Sequence, residues 1–74
     1  MAKTFSGKFV IAILCRHFGF FVVSQKGSHV KLRKETPMNN ITTVVPLHRE
    51  LSYGTLKGVL DLAEITVQDF IQHS

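Results

Sequence analysis

The 74-residue sequence has few of the residues that mark disulfide-rich, metal-binding or nucleotide-binding proteins. Its single cysteine, Cys15, cannot form an internal disulfide, so a disulfide scaffold is excluded. The four histidines follow no zinc-site spacing such as His-x-x-x-His, and the five glycines form neither a phosphate-binding loop nor a dinucleotide fingerprint. The five carboxylates are scattered and give no pair for glycoside hydrolysis. We therefore expect neither a metal site nor a cofactor.

Long hydrophobic segments are also missing. An apolar run covers residues 9–15 and is too short to span a bilayer. Lys3 and Lys8 precede this run, as in a secretory signal, but Arg16 follows it directly and no small-residue cleavage site is present. We therefore expect a cytoplasmic protein without a membrane segment, in which Cys15 is a buried thiol in a reducing compartment.

Positive charge is concentrated in the middle of the chain. Nine lysines and arginines against five acids give a net charge of +4 and a pI near 9.7, which favours polyanionic partners such as nucleic acid. Four cations fall within nine residues, namely Lys26, Lys31, Arg33 and Lys34, whereas four of the five acids lie in the last third. This asymmetry predicts a basic face formed by the middle of the chain.

Length and composition indicate one small domain over residues 1–74. At this size a hydrophobic core only just outweighs the entropy of ordering the chain, and the apolar fraction of 45% argues against disorder. The first element is predicted to be a helix over residues 7–18, with Ser6 as its N-cap and Gly19 as its stop signal. This helix carries more apolar positions than one core stripe needs, so it is either deeply buried or partly covered by a partner.

Three strands are predicted to follow the first helix. Residues 20–25 and 41–45 are rich in aromatic and β-branched side chains, and Pro46 closes the last of these strands. The tight connection Lys26-Gly27-Ser28 makes residues 29–34 the returning arm of an antiparallel hairpin.

Two further helices are predicted toward the C-terminal end. Thr55 would cap the second helix, whose apolar residues within 56–63 have helical spacing. Thr66 and Asp69 match the capping pattern of a short third helix that contains Phe70. The predicted fold is α+β, a three-stranded antiparallel sheet with helices packed on one face.

The second strand holds the residues of greatest chemical interest. Alternate side chains of a β-strand point to opposite faces, so we expect His29, Lys31 and Arg33 to line one face. Val30 and Leu32 would then pack on the other face. A titratable group beside two fixed positive charges suits a phosphodiester.

RNA cleavage fits this arrangement because RNA supplies its own nucleophile, the 2′-hydroxyl. The reaction needs a base for the hydroxyl proton, an acid for the leaving 5′-oxygen and positive charge near the phosphate. His29 can take either proton role at neutral pH, Lys31 and Arg33 can orient the phosphate, and no metal is required. Lys26 and Ser28 are further candidates for phosphate contact.

Other assignments stay open at this point. His48, Lys26 or Tyr53 could supply the second proton-transfer group. The same basic face could grip RNA without cutting it, which would make the chain a non-catalytic RNA-binding module. A third hypothesis is a small structural protein whose apolar first helix serves a partner.

Three ordered motifs resemble the HicA family of toxins from HicA–HicB toxin–antitoxin modules. They are Gly27-Ser28-His29, Pro46-Leu47-His48-Arg49-Glu50-Leu51 and Gly54-Thr55-Leu56-Lys57, and the resemblance extends from Ser6 to Phe70. It implies a fold similar to double-stranded RNA-binding domains. It also implies a ribosome-independent endoribonuclease that cleaves mRNA and arrests growth until a HicB-like antitoxin covers the active site.

The resemblance also assigns individual residues. The family's catalytic histidine falls on His29, while Lys31 and Arg33 match the basic strand that follows it. The sequence departs from the family pattern in its helices, since the first helix is more apolar than the usual charged version. Asp61 and Glu64 stand where the family commonly has a polar or basic residue and a glycine.

Overall fold

The computed structural model describes residues 4–74. Their order is a helix, three strands and two helices, as the sequence predicts. The elements are α1 (Gly7–His17), β1 (Phe21–Lys26), β2 (His29–Glu35), β3 (Asn40–Pro46), α2 (Tyr53–Ala63) and α3 (Val67–Gln72). Lys3, one of the two cations that precede the apolar run, lies outside the described residues. In the described part, no helix has the length and hydropathy needed to cross a membrane.

The three strands form one antiparallel sheet in the order β1-β2-β3, so β2 is the central strand. The hairpin places Lys26 of β1 opposite His29 of β2, and β3 returns with Pro46 opposite the same histidine. The helices pack against the face on which Val30 and Leu32 are buried. The predicted α+β fold, with helices on one face of a three-stranded sheet, is therefore confirmed.

The hydrophobic core joins this face of the sheet to all three helices. Thr43 is its buried polar residue, and the Thr43 hydroxyl donates to the Val59 carbonyl at 2.8 Å. That hydrogen bond satisfies the hydroxyl and ties β3 to α2. The largest fully buried side chains are Phe70, Leu14, Leu32, Leu60, Val10 and Val45.

Capping side chains set the start of each helix, and one of them differs from the prediction. The predicted N-caps of α1 and α3, Ser6 and Thr66, are confirmed, since each side chain accepts a hydrogen bond from the amide three residues on. The prediction for α2 is wrong, because the helix starts at Tyr53 and its N-cap is Ser52. The Thr55 N–H donates to Ser52 Oγ at 3.2 Å, so Thr55 already lies in the first turn. Both residues are good capping types, and only the chain path decides between them.

Helix α1 has more apolar residues than one core stripe needs, and most of them pack inside the domain. Ile13 is buried and Cys15 packs, partly buried, against the core. Phe9 remains 38% exposed, and its ring stacks on the Phe5 ring with centroids 5.4 Å apart. Four of the eleven residues of α1 are buried, so deep burial holds for one side of this helix, and cover by a partner stays a prediction for the rest.

Glu64 follows the last turn of α2 in a left-handed conformation, with φ 61 and ψ 39. Glycine adopts this conformation without the steric cost of a side chain, which is roughly 1–2 kcal/mol for other residues. This conformation explains why a glycine is expected here from the family resemblance. In this chain Glu64 takes that place at the C-terminal end of α2.

Candidate functional site

The face of the sheet opposite the helices, here termed the open face, carries the residues that the sequence singles out. Directly paired residues of antiparallel strands project to the same side, so each pair of the register belongs to one row across the sheet. The three rows are Lys26-His29-Pro46, Ser24-Lys31-Val44 and Phe21-Arg33-Thr42.

His29 occupies the centre of the first row, at the start of β2. Gly27 and Ser28 form a two-residue turn between the paired residues Lys26 and His29. Gly27 has φ 58, a value that suits glycine at the first position of a type II′ hairpin turn. The side-chain amide of Gln25 donates to the Gly27 carbonyl at 3.0 Å. The turn therefore places His29, whose side chain is exposed, directly opposite Lys26.

Lys31 and Arg33 follow His29 on the open face, so the predicted alternation is confirmed. Lys31 is exposed and Arg33 is half-buried. Successive positions on one face of a strand are about 7 Å apart, so the two cations extend the site along β2 by about 14 Å. Glu35 is the next residue on this face and ends the basic stripe. A chain of phosphates would therefore meet favourable charge from His29 to Arg33.

Lys34 does not belong to this stripe. It pairs with Ile41 on the helix-covered side of the sheet, and its aliphatic stem approaches Gly19. The prediction of one basic face is therefore wrong for Lys34, because the even-numbered residues of β2 point toward the helices. The cations that do share the open face are Lys26, Lys31 and Arg33.

The loop after β3 fixes the backbone next to His29. Leu47 donates its N–H to the Ser28 carbonyl at 2.6 Å, so the loop is tied to the hairpin turn. The N–H of Gly7 donates to the His48 carbonyl at 2.9 Å, so the same loop holds the start of α1. Segments from three parts of the sequence thereby converge beside His29.

The three candidates for the second proton-transfer group lie in different places. Lys26 shares a row with His29. His48 lines a basic cleft of about 410 Å³ between the start of α1 and the loop after β3. Tyr53 lines a separate cleft of about 450 Å³ between α2 and the segment that leads into α3. The structure thus brings Lys26 and the His48 loop to the turn that carries His29, and it does not bring Tyr53 there.

Gly7 occupies a position where no side chain fits. A Cβ atom there would lie 1.9 Å from the Pro46 carbonyl oxygen, a backbone atom that cannot rotate away. We expect Gly7→Ala to lower the free energy of unfolding by about 1–3 kcal/mol, because α1 and the end of β3 must move apart. Urea unfolding followed by circular dichroism measures the change.

Gly58 provides the matched control for this substitution. It is exposed within α2, and a Cβ atom there would meet nothing within 4 Å. Gly58→Ala should therefore raise the free energy of unfolding by about 0.5–1 kcal/mol, because alanine loses less entropy than glycine in a helix. Two changes of the same sign would contradict the close approach at Gly7.

The remaining histidines and the cysteine lie away from this row. His17 and His73, both at helix C-termini as predicted, contact each other with ring centroids 5.1 Å apart, since the ends of α1 and α3 meet. Burial raises the pKa of the Cys15 thiol, which keeps it protonated at neutral pH. Within residues 4–74, no group of three or more histidine, cysteine or acidic side chains is placed to hold a metal ion.

A β-bulge in β1 is the feature of the site that sequence reasoning missed. The register shifts between Val22 and Ser24, so Val23 is an extra residue opposite β2. Beyond the bulge, Phe21 lies opposite Arg33 on the open face and is 44% exposed. The run of aromatic and β-branched residues is typical of a strand with or without a bulge, so composition does not reveal the shift.

Comparison with known protein families adds a finding that is independent of this geometry. The family model described as "HicA toxin of bacterial toxin-antitoxin" matches residues 7–65. The matched range starts with α1, includes the whole sheet and α2, and leaves α3 outside. A comparison with curated proteins returned no match.

Proposed function

The chain belongs to the HicA toxin family of bacterial toxin–antitoxin systems, and from this membership we propose that it is a ribosome-independent endoribonuclease that cleaves mRNA. His29 is the proposed catalytic residue. The observation that carries the proposal is the position of His29 at the start of the basic stripe that Lys31 and Arg33 form along β2 on the open face. A toxin of this kind stops growth by destroying messages.

The proposed chemistry uses the nucleophile of the substrate. The 2′-hydroxyl of RNA attacks the neighbouring phosphorus atom, and the bond from phosphorus to the 5′-oxygen of the next nucleotide breaks. His29 accepts the hydroxyl proton or donates a proton to the leaving oxygen, since imidazole can do either near neutral pH. Each step can proceed with side-chain acids, bases and cations, so the proposed mechanism is metal-independent and uses no cofactor.

Lys31 and Arg33 are the proposed phosphate ligands along β2. Arg33 can hold two oxygens of one phosphate through its planar guanidinium, and Lys31 adds a point charge. Lys26 and Ser28 contact the RNA from the hairpin side of His29. The candidates for the second proton-transfer group are Lys26, which lies in the row of His29, and His48, which lies in the adjoining loop.

A HicB-like antitoxin is the proposed protein partner, because membership in a toxin–antitoxin family implies an antitoxin. The open face is exposed around His29 and Lys31 and carries net positive charge. We expect the antitoxin to cover His29 with an acidic surface, which would exclude RNA by occupying the same charges. With mRNA as the proposed substrate, we expect the toxin to act in the cytoplasm.

Charge removal on the two faces of β2 tests whether the open face binds RNA. Lys31→Gln should weaken binding to single-stranded RNA and lower the slope of log K against log[salt] by about 0.7–1, because one phosphate contact is lost. Lys34→Gln removes the same charge from the same strand but on the opposite face, so it should leave both quantities close to those of the parent. Fluorescence anisotropy with labelled RNA at several salt concentrations measures both variants.

Two outcomes would count against the proposal. Equal losses for the two variants would show that binding depends on overall charge and not on the open face. Labelled RNA that is bound at saturation yet stays intact would favour the non-catalytic RNA-binding module instead of a nuclease.

A further inference from the structure

The open face carries an exposed aromatic side chain that the proposed cleavage chemistry does not use. Phe21 lies opposite Arg33 in the third row and is 44% exposed. Its neighbour Phe20 is 4% exposed and packs in the core. Phe20 thus supplies the aromatic ring that packs in the core at this point, whereas Phe21 is not part of the buried core.

The bulge in β1 is what brings Phe21 to this face. Phe21 and Lys26 are five residues apart, and residues at an odd separation point to opposite faces of a regular strand. The register shift between Val22 and Ser24 reverses the alternation, so Phe21 and Lys26 both lie in open-face rows. Without the extra residue, the phenyl ring would turn toward the helix side while Lys26 stayed beside His29.

We propose that Phe21 is a stacking platform for one base of the single-stranded RNA whose phosphates lie along β2. The inference rests on the proposed function and names a residue that positions its substrate. Phe21 lies in the row of Arg33, four strand residues from the row of His29 or about 14 Å, so the stacked base is not the base next to the cleaved bond. Phe21 would therefore position the RNA and contribute to affinity without touching the reacting atoms.

The surroundings of Phe21 favour RNA over an apolar protein surface. Its row continues with Arg33 and Thr42, and the next row holds Lys31. Alternating cations, hydroxyl groups and one aromatic ring are the groups that hold phosphates and stack bases in single-stranded nucleic-acid sites. Val44, which lies opposite Lys31 and is 38% exposed, adds apolar area of the kind that bases also cover.

Binding measurements in a His29→Ala background test this role without cleavage of the RNA. Phe21→Leu keeps an apolar side chain but removes the flat ring, and we expect about 5- to 100-fold weaker binding to a short single-stranded RNA. Phe21→Tyr keeps the ring and should bind as the parent does. Val22→Ala is the matched control, since Val22 is 52% exposed on the same strand but projects to the other face.

An RNA with single abasic positions gives the second readout. At the stacked position, loss of the base should weaken binding to the parent and abolish the difference between the parent and Phe21→Leu. At other positions the difference should persist. Non-additivity at one position is the result that a general loss of fold or charge would not produce.

Distinct results overturn the inference and the proposed function. If Phe21→Leu binds RNA as the parent does while Lys31→Gln still weakens binding, the stacking role is wrong and the proposed function stands. If the parent binds no RNA, both fail. If Phe21→Leu leaves RNA binding unchanged and weakens the complex with the co-purified antitoxin, Phe21 belongs to the protein interface and the stacking role is wrong.

Discussion

Replacement of His29 by alanine should reduce the rate of RNA cleavage by about 10²–10⁴-fold, the usual contribution of a positioned acid or base. The His29 side chain is exposed at the start of β2 and does not pack in the core. The free energy of unfolding should therefore change by no more than about 0.5 kcal/mol. Single-turnover cleavage of labelled RNA gives the rate, and urea unfolding gives the stability. Induced expression should no longer arrest growth.

The control histidine for this substitution is His17. It is exposed at the C-terminal end of α1, where it packs against His73, whereas the N-terminal end of α1 is the one held by the loop beside the hairpin turn. His17→Ala should cleave RNA as the parent does. His29→Gln, which keeps hydrogen-bonding capacity but transfers no proton at neutral pH, should be as slow as His29→Ala. Cleavage at the parental rate by His29→Ala would show that another group carries the reaction.

His48→Ala separates the two candidates for the second proton-transfer group. A loss of rate as large as that of His29→Ala, with unchanged RNA affinity, would assign the second group to the loop after β3. An unchanged rate would leave Lys26, in the row of His29, as the group to substitute next. His29 and His48 carry the same imidazole group and can transfer protons in the same way, so the cleavage rates of their variants are what distinguish their roles.

The parts of the site that could be predicted from sequence are those set by local rules. Gly27 supplies the left-handed residue that a tight hairpin turn needs, and the turn determines where β2 begins. The alternation of buried Val30 and Leu32 with the charged residues then follows from the period of a strand. For this reason the open-face position of His29, Lys31 and Arg33 could be derived without a structure.

The missed features depend on contacts between segments. The bulge at Val23 is a property of the pairing between β1 and β2, so the exposed position of Phe21 was invisible in the sequence of β1 alone. The choice of Ser52 over Thr55 as N-cap of α2 depends on the path of the loop after β3. The contact between His17 and His73 requires that α1 and α3 meet, which no local pattern encodes.

The placement of α3 leads to the prediction with the largest expected effect on stability. Phe70 is the largest of the fully buried side chains in the described part of the chain, and its ring meets the Phe5 ring edge-on with centroids 5.3 Å apart. Phe70→Ala should lower the free energy of unfolding by about 3–5 kcal/mol, since it removes the ring and leaves a cavity. The free energy of unfolding of a small domain is only about 5–15 kcal/mol, so the variant should be close to unfolding at 37 °C.

Ile71→Ala separates the loss of core packing from a weakening of α3 itself. Ile71 is the next residue of the same short helix and is 52% exposed, so its substitution should cost about 0.5 kcal/mol or less. Urea unfolding of both variants, followed by circular dichroism, measures the difference. Equal losses would mean that α3 contributes through its helical structure and not through Phe70.

A loss confined to Phe70→Ala would show that α3, although outside the matched residues 7–65, completes the core against which Val30 and Leu32 pack. Since those two residues alternate with His29 and Lys31 on β2, the open face would then depend on a helix that the family match does not include.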